Sequence, residues 1–122
     1  MKKLLIVFII LLSIFLCSCG GKYNVSDSVR KGAEKAVEIV DNFLDYDITI
    51  EDAAEQLQDI CDLMISNKSH EDNIVCLEVE NCKLTLENCI LDDDKPSSII
   101  KELLNERNKI AEAIGKIVRN NP

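Results

Sequence analysis

Residues 72–91 read DNIVCLEVENCKLTLENCIL, and whether they form one helix or two strands decides the fold class of the chain. As strands, Leu77 and Val79 alternate, then Leu84 and Leu86, with a turn at Asn81-Cys82. As a helix, Val75, Val79, Cys82, Leu86 and Cys89 are spaced four, three, four and three, which puts them on one face. A seven-residue echo, VENC at Val79 and LENC at Leu86, repeats every two helical turns. No Gly or Pro interrupts the twenty residues, and a hairpin would call for turn chemistry such as Asn-Gly. The helix is the preferred reading. Leu77, Leu84 and Leu91 then share the opposite face, which is either covered by a further element or open to a partner.

The flanking segments have the same periodicity. Before it, Ser26-Asp27-Ser28 offers cap oxygens, and Val29, Ala33, Ala36, Val37, Val40 and Leu44 form a stripe that Ile39 and Phe43 widen. That helix should stop at Asp45-Tyr46-Asp47. Thr49 with Asp52 three residues on resembles a capping box, and Glu51 and Asp52 suit the positive end of a helix dipole. Ala53, Leu57, Ile60, Cys61 and Met64 follow on one face, with an end expected around Ser66-Asn67-Lys68. After a turn at Asp92–Pro96, Ile100, Leu103, Leu104, Arg107, Ala111, Ile114 and Val118 define a last helix running to about Asn120, with Ile110 and Ile117 beside the stripe. Gly115 falls inside that helix, at a cost of about 1 kcal/mol relative to Ala. The expectation for residues 26–122 is an all-α fold, an antiparallel up-and-down bundle of four amphipathic helices joined by short loops.

The chain opens MKKLLIVFIILLSIFLCSCGG. Two lysines precede Leu4 to Leu16, an apolar run broken only by Ser13, which is shorter than the ~20 residues needed to cross a bilayer as a helix. The run ends L-C-S-C. With Leu16 three residues before Cys19 and the small Ser18 just before it, this site resembles the lipobox of bacterial lipoproteins. Cys17 fits less well, because bulky Leu16 would occupy the position that needs a small residue. The resemblance implies a signal peptide over residues 1–18, diacylglyceryl modification of Cys19, and a flexible tether over residues 19–25 that includes Gly20 and Gly21. Two acyl chains give stable anchoring where one would not. The implied location is the cell membrane, with the domain facing outside the cytoplasm.

Composition narrows the function. The chain carries 22 acidic and 14 basic residues, a net charge of −8, and loss of Lys2 and Lys3 with the signal leaves the remainder more acidic still. That excludes a basic nucleic-acid surface and an electrostatic grip on anionic lipid. Beyond residue 18 the aromatic residues are Tyr23, Phe43 and Tyr46, too few for stacking sugars or similar solutes.

Four cysteines follow the lipid site: Cys61, Cys76, Cys82 and Cys89. In an exported domain they invite disulfides. Cys82 and Cys89 are two turns apart on one helix, roughly 10 Å, beyond bridging reach of each other, but Cys61 could pair with either. The competing reading is that all four are buried small hydrophobes. No Cys-x-x-Cys or Cys/His pair has zinc-ligand spacing. The stretch DYDITIEDA, Asp45 to Ala53, resembles the later half of an EF-hand calcium loop. Phe43 and Tyr46 stand where an oxygen ligand and the turn Gly belong, so a helix stop and start explains it better. Asp92-Asp93-Asp94 reads as a solvated turn. His70, the single histidine, lies in a polar run without a nucleophile partner, and no nucleophile-elbow or phosphate-loop motif occurs. Neither enzymatic activity nor a cofactor is expected.

The leading expectation is a membrane-anchored envelope lipoprotein whose acidic helical domain binds another envelope protein or its own kind, through a face such as Leu77, Leu84 and Leu91. Alternatives are a small-ligand or cation-binding lipoprotein, or an exported inhibitor or exclusion lipoprotein.

Overall fold

The computed structural model describes residues 21–64 and 69–122, and all regular structure among them is helical. Helix α1 spans Asp27–Leu44, α2 Ile50–Leu63, α3 His70–Leu91 and α4 Ile100–Ile114, with one 3₁₀ turn, Pro96–Ile99, leading into α4. Residues 72–91 are thus part of a single helix, which begins two residues earlier, at His70. Ser69 caps it, its hydroxyl accepting from the Asp72 amide at 3.1 Å. Thr49 does the same for Asp52 at the start of α2, also at 3.1 Å. The Cα trace of α2 leaves the helix at Met64, and the expected end at residues 66–68 lies outside the described residues.

Each helix turns its stripe inward. Val29, Ala33, Ala36, Val40 and Phe43 of α1 meet Ala53 and Leu57 of α2, Val75, Val79, Cys82 and Leu86 of α3, and Leu103 and Ile110 of α4 in one core. Helix α1 packs against α2, α3 and α4, and α3 is wedged between α2 and α4. Alanines at positions 33, 36, 53 and 111 are fully buried, so the helix backbones approach closely there.

The last helix corrects the reading of its sequence. It ends at Ile114, because Gly115 adopts φ 80°, a left-handed conformation that closes a helix and that glycine adopts without the steric cost of a Cβ. Gly115 is therefore a stop signal, not an interior cost, and Ile117 and Val118 are exposed outside the helix. The tether is corrected too. From Lys22 onward it is docked, the amides of Lys22 and Tyr23 donating to the carbonyls of Glu112 and Ala113 at 3.1 and 3.2 Å. The approach needs glycine at position 21, since a Cβ there would collide with the backbone around Gly115.

Polar contacts fix which helix ends lie together. Asp72, buried at the start of α3, accepts from the Ser26 amide at the start of α1 at 2.8 Å. Glu71 beside it accepts from the Asn24 amide at 2.9 Å. Both carboxylates also sit at the positive end of α3. Arg30 near the start of α1 donates to the last carbonyl of α4, Ile114, at 2.6 Å.

Candidate interaction face and cysteine groove

Helix α3 has no polar side in the ordinary sense. Its inner face carries Val75, Val79, Cys82, Leu86 and Cys89, all buried. With α1, α2 and α4 packed around that face, the outer wedge carries Leu77, Leu84 and Leu91, which are 57%, 42% and 80% exposed. These are the three leucines singled out by their spacing, and the described residues leave them uncovered. Three large aliphatic side chains in a row on the outside of an otherwise acidic protein cost solvation without serving its own core. Glu80 and Glu87 border the row on one side, Asn81 and Asn88 on the other.

The groove between α2 and α3 holds the second feature. A hollow of about 360 Å³ is lined by Gln58, Cys61, Asp62, Cys76, Glu80 and Lys83 among others. The structure thus brings Cys61 into one groove with Cys76, and does not bridge Cys61 to Cys82 or Cys89. Cys61 and Cys76 are half-buried, whereas Cys82 and Cys89 are buried. Burial pushes the Cys61 thiol above its usual range, partly opposed by the Lys83 ammonium. Burial raises Cys82 much further, with the Glu106 carboxylate adding to it. Cys89 is raised by burial and by Asp94, and its Sγ donates to the Asp94 carbonyl at 3.5 Å. Thiols held protonated in this way are weak nucleophiles and weak metal ligands.

Two polar arrangements escaped the sequence reading. Arg107, which fell on the apolar stripe of α4, is buried and grips Asp41 of α1 with two bonds, Nε to Oδ1 at 2.9 Å and Nη2 to Oδ2 at 3.1 Å. It also donates to the Ile117 carbonyl at 2.7 Å. Asn108 receives the Arg119 amide at 2.9 Å, and Arg119 reaches Asp41 at 3.4 Å and Asp45 at 2.6 Å. Residues 115–119 are thereby clasped against the end of α1. An arginine in register with an apolar stripe was the signal available for this. Asp45, the first residue of the stretch that resembles a calcium loop, and Asp41 before it are both occupied by guanidinium groups. Among the described residues no group of three His, Cys, Asp or Glu side chains could hold a metal ion.

The second arrangement joins α3 to α4. Thr85 donates to both oxygens of Glu106, at 2.8 and 3.0 Å. Burial raises the Glu106 carboxyl above its usual range despite that hydroxyl, and Glu102 and Glu78 raise it further. One Glu78 oxygen is buried there without a hydrogen-bond partner.

A further hollow of about 410 Å³ opens where the α1–α2 loop meets the 3₁₀ turn, lined by Phe43, Tyr46, Ile48, Ile50, Pro96 and Ile100 among others. Tyr46 stands almost fully exposed at its rim with φ 62°. The candidate lipid site, Cys19, lies outside the described residues, and none of the described helices is long and apolar enough to cross a membrane. No family model, no curated protein and no solved structure matches this chain.

Proposed function

We propose that the chain is a non-catalytic envelope lipoprotein, held at the membrane by acyl groups on Cys19, whose helical domain docks a protein partner through the outer face of α3. The observation that carries the docking reading is the exposed row Leu77, Leu84 and Leu91. The L-C-S-C end of the apolar leader supports the anchor, and the acidic surface supports a body held by that anchor and not by charge attraction to anionic lipid. We further read the four helices as an antiparallel up-and-down bundle. The contact of Arg30, near the start of α1, with the end of α4 supports it, as does that of Cys76 in α3 with the Met64 carbonyl at the end of α2.

The test is Leu84→Glu in the full-length protein. The expected result is an unchanged helical circular-dichroism spectrum and melting point with loss of the partner complex from crosslinked membranes. Unfolding would instead make Leu84 a core residue and overturn the docking reading. A second reading, small-ligand binding, has the Tyr46 hollow in its favour. A panel of small apolar compounds that shifts the melting point, and ceases to do so in Tyr46→Ala, would establish it.

A further inference from the structure

The exposed leucines belong to a longer pattern. Ile74, Leu77, Asn81, Leu84, Asn88 and Leu91 are spaced three, four, three, four and three along α3, and all six are half-buried or exposed. This is the seam of a two-stranded coiled coil, with the leucines at one heptad position and Ile74, Asn81 and Asn88 at the other. It lies on the side of α3 away from the core, which uses a second and separate seam. We infer that the partner on this face is a second copy of the same chain, its α3 parallel to and in register with the first. The inference rests on reading this face as a docking surface and names what docks there.

The asparagines choose among the possible partners. In a parallel, in-register pair each seam residue faces its counterpart in the second copy. A carboxamide both donates and accepts, so Asn81 meeting its counterpart satisfies both side chains, and Asn88 does the same. An antiparallel pair would set each asparagine against a leucine and leave a desolvated amide without a partner. A slip by one heptad would strand one asparagine layer against Ile74. An unrelated apolar helix would leave both asparagines unsatisfied. The other neighbour of the leucine row, carrying Glu80 and Glu87, would bring carboxylates together at the centre of the interface. The seam therefore runs along the asparagine side, with the glutamates at its edge.

The direction of pairing also fits the chain that precedes Gly21. Lys22 and Tyr23, which follow it, are docked at the end of α4 against Glu112 and Ala113, at the same end as the starts of α1 and α3. A parallel pair puts the two leader segments at one end of the dimer, where both reach one membrane. An antiparallel pair would put them at opposite ends. Confinement of both copies to one surface, already pointing the same way, raises their effective concentration, so a seam of three heptads suffices.

Oxidative crosslinking of the full-length protein in its own membrane tests this. Leu77→Cys and Leu91→Cys are each oxidised with a mild disulfide reagent, with the parent protein, which keeps its half-exposed Cys61 and Cys76, as the background control. Each variant alone should give a disulfide-linked dimer well above that background, and adding Leu84→Glu should lower the yield on the order of tenfold. Dimer that forms only when Leu77→Cys and Asn88→Cys, the positions an antiparallel pair sets against each other, are coexpressed would mean an antiparallel pair and overturn the inference. Absence of dimer in all of them overturns self-pairing. Labelling of Leu77→Cys by a membrane-impermeant maleimide then separates the two failures. Shielding in cells together with reactivity in the purified protein leaves the docking face standing with another partner, whereas reactivity in both removes the docking reading as well.

Discussion

Four thiols of one chemical type sit in two environments, and their reactivity should sort accordingly. Cys61 and Cys76 open onto the α2–α3 groove, while Cys82 and Cys89 are buried in the core with raised pKa values. In the native, reduced protein a maleimide should modify Cys61 and Cys76 ahead of Cys82 and Cys89, which stay untouched until denaturant is added. Peptide mapping by mass spectrometry reads the order, and early labelling of Cys82 would contradict the packing of α3. Glu106 makes a pH-dependent prediction. Its folded carboxyl is raised, chiefly by burial, so the folded state takes up a proton at a pH where the unfolded chain does not. Its charge therefore opposes folding at neutral pH, and the penalty fades as pH falls through the raised value toward the ordinary carboxylate range. Glu106→Gln keeps an acceptor for the Thr85 hydroxyl and removes the charge. It should raise the melting point at pH 7, with the advantage over the parent shrinking on acidification, measured by thermal melts from pH 7 to pH 4. An advantage that grows in acid would have the wrong sign.

At the scale of elements, Gly115 separates two readings of one residue. Were it inside a helix, Gly115→Ala would stabilise the protein by about 1 kcal/mol. Because its φ is 80°, the same change should destabilise by about 1–2 kcal/mol, and a urea titration gives the sign directly. The clasp it introduces is equally testable. Asp41→Ala leaves the buried Arg107 guanidinium without its bidentate partner and should cost about 2–3 kcal/mol. Arg107→Met fills the space with apolar atoms, and Asp41 keeps Arg119, so it should cost less. The existence and inner faces of all four helices were legible because each repeats an apolar residue every three or four positions, and in α3 the absence of any turn residue favoured a helix over strands. The end of α4 was not legible. Apolar residues continue in phase through Ile117 and Val118, and periodicity cannot report the backbone dihedral at Gly115. Asp72 was unreadable for a related reason. It looks like one more first-turn acid, and its role depends on Ser26, which lies 46 residues earlier. The leucine row was legible as a face, but that it stays uncovered depends on how α2 and α4 flank α3.

For the whole molecule, the question is which end faces the membrane. Gly21 is the first described residue, and by Lys22 the chain is already hydrogen-bonded to the end of α4. Cys19 is two residues before Gly21. If Cys19 carries the lipid, the end of the domain holding the starts of α1 and α3 must sit within a few ångströms of the headgroups, and the α3 seam rises away from the membrane. The two cysteines of L-C-S-C make this testable. Only Cys19 has a small residue immediately before it, so Cys19→Ser should leave the leader uncleaved and the protein without acyl chains. Cys17→Ser should change nothing, because residue 17 departs with the signal. The intact mass of detergent-extracted protein reads both results. The parent and Cys17→Ser should give one common mass, that of residues 19–122 plus acyl chains, and Cys19→Ser should give the mass of the full chain. A lipidated species that begins at Cys17 would move the anchor two residues outward and loosen the constraint on the domain's orientation. An unlipidated parent still carrying residues 1–18 would replace the acyl anchor with a protein one. The in-register pairing of α3 would survive that result, since it needs both copies to approach one membrane from the same side and does not depend on the chemistry that holds them there.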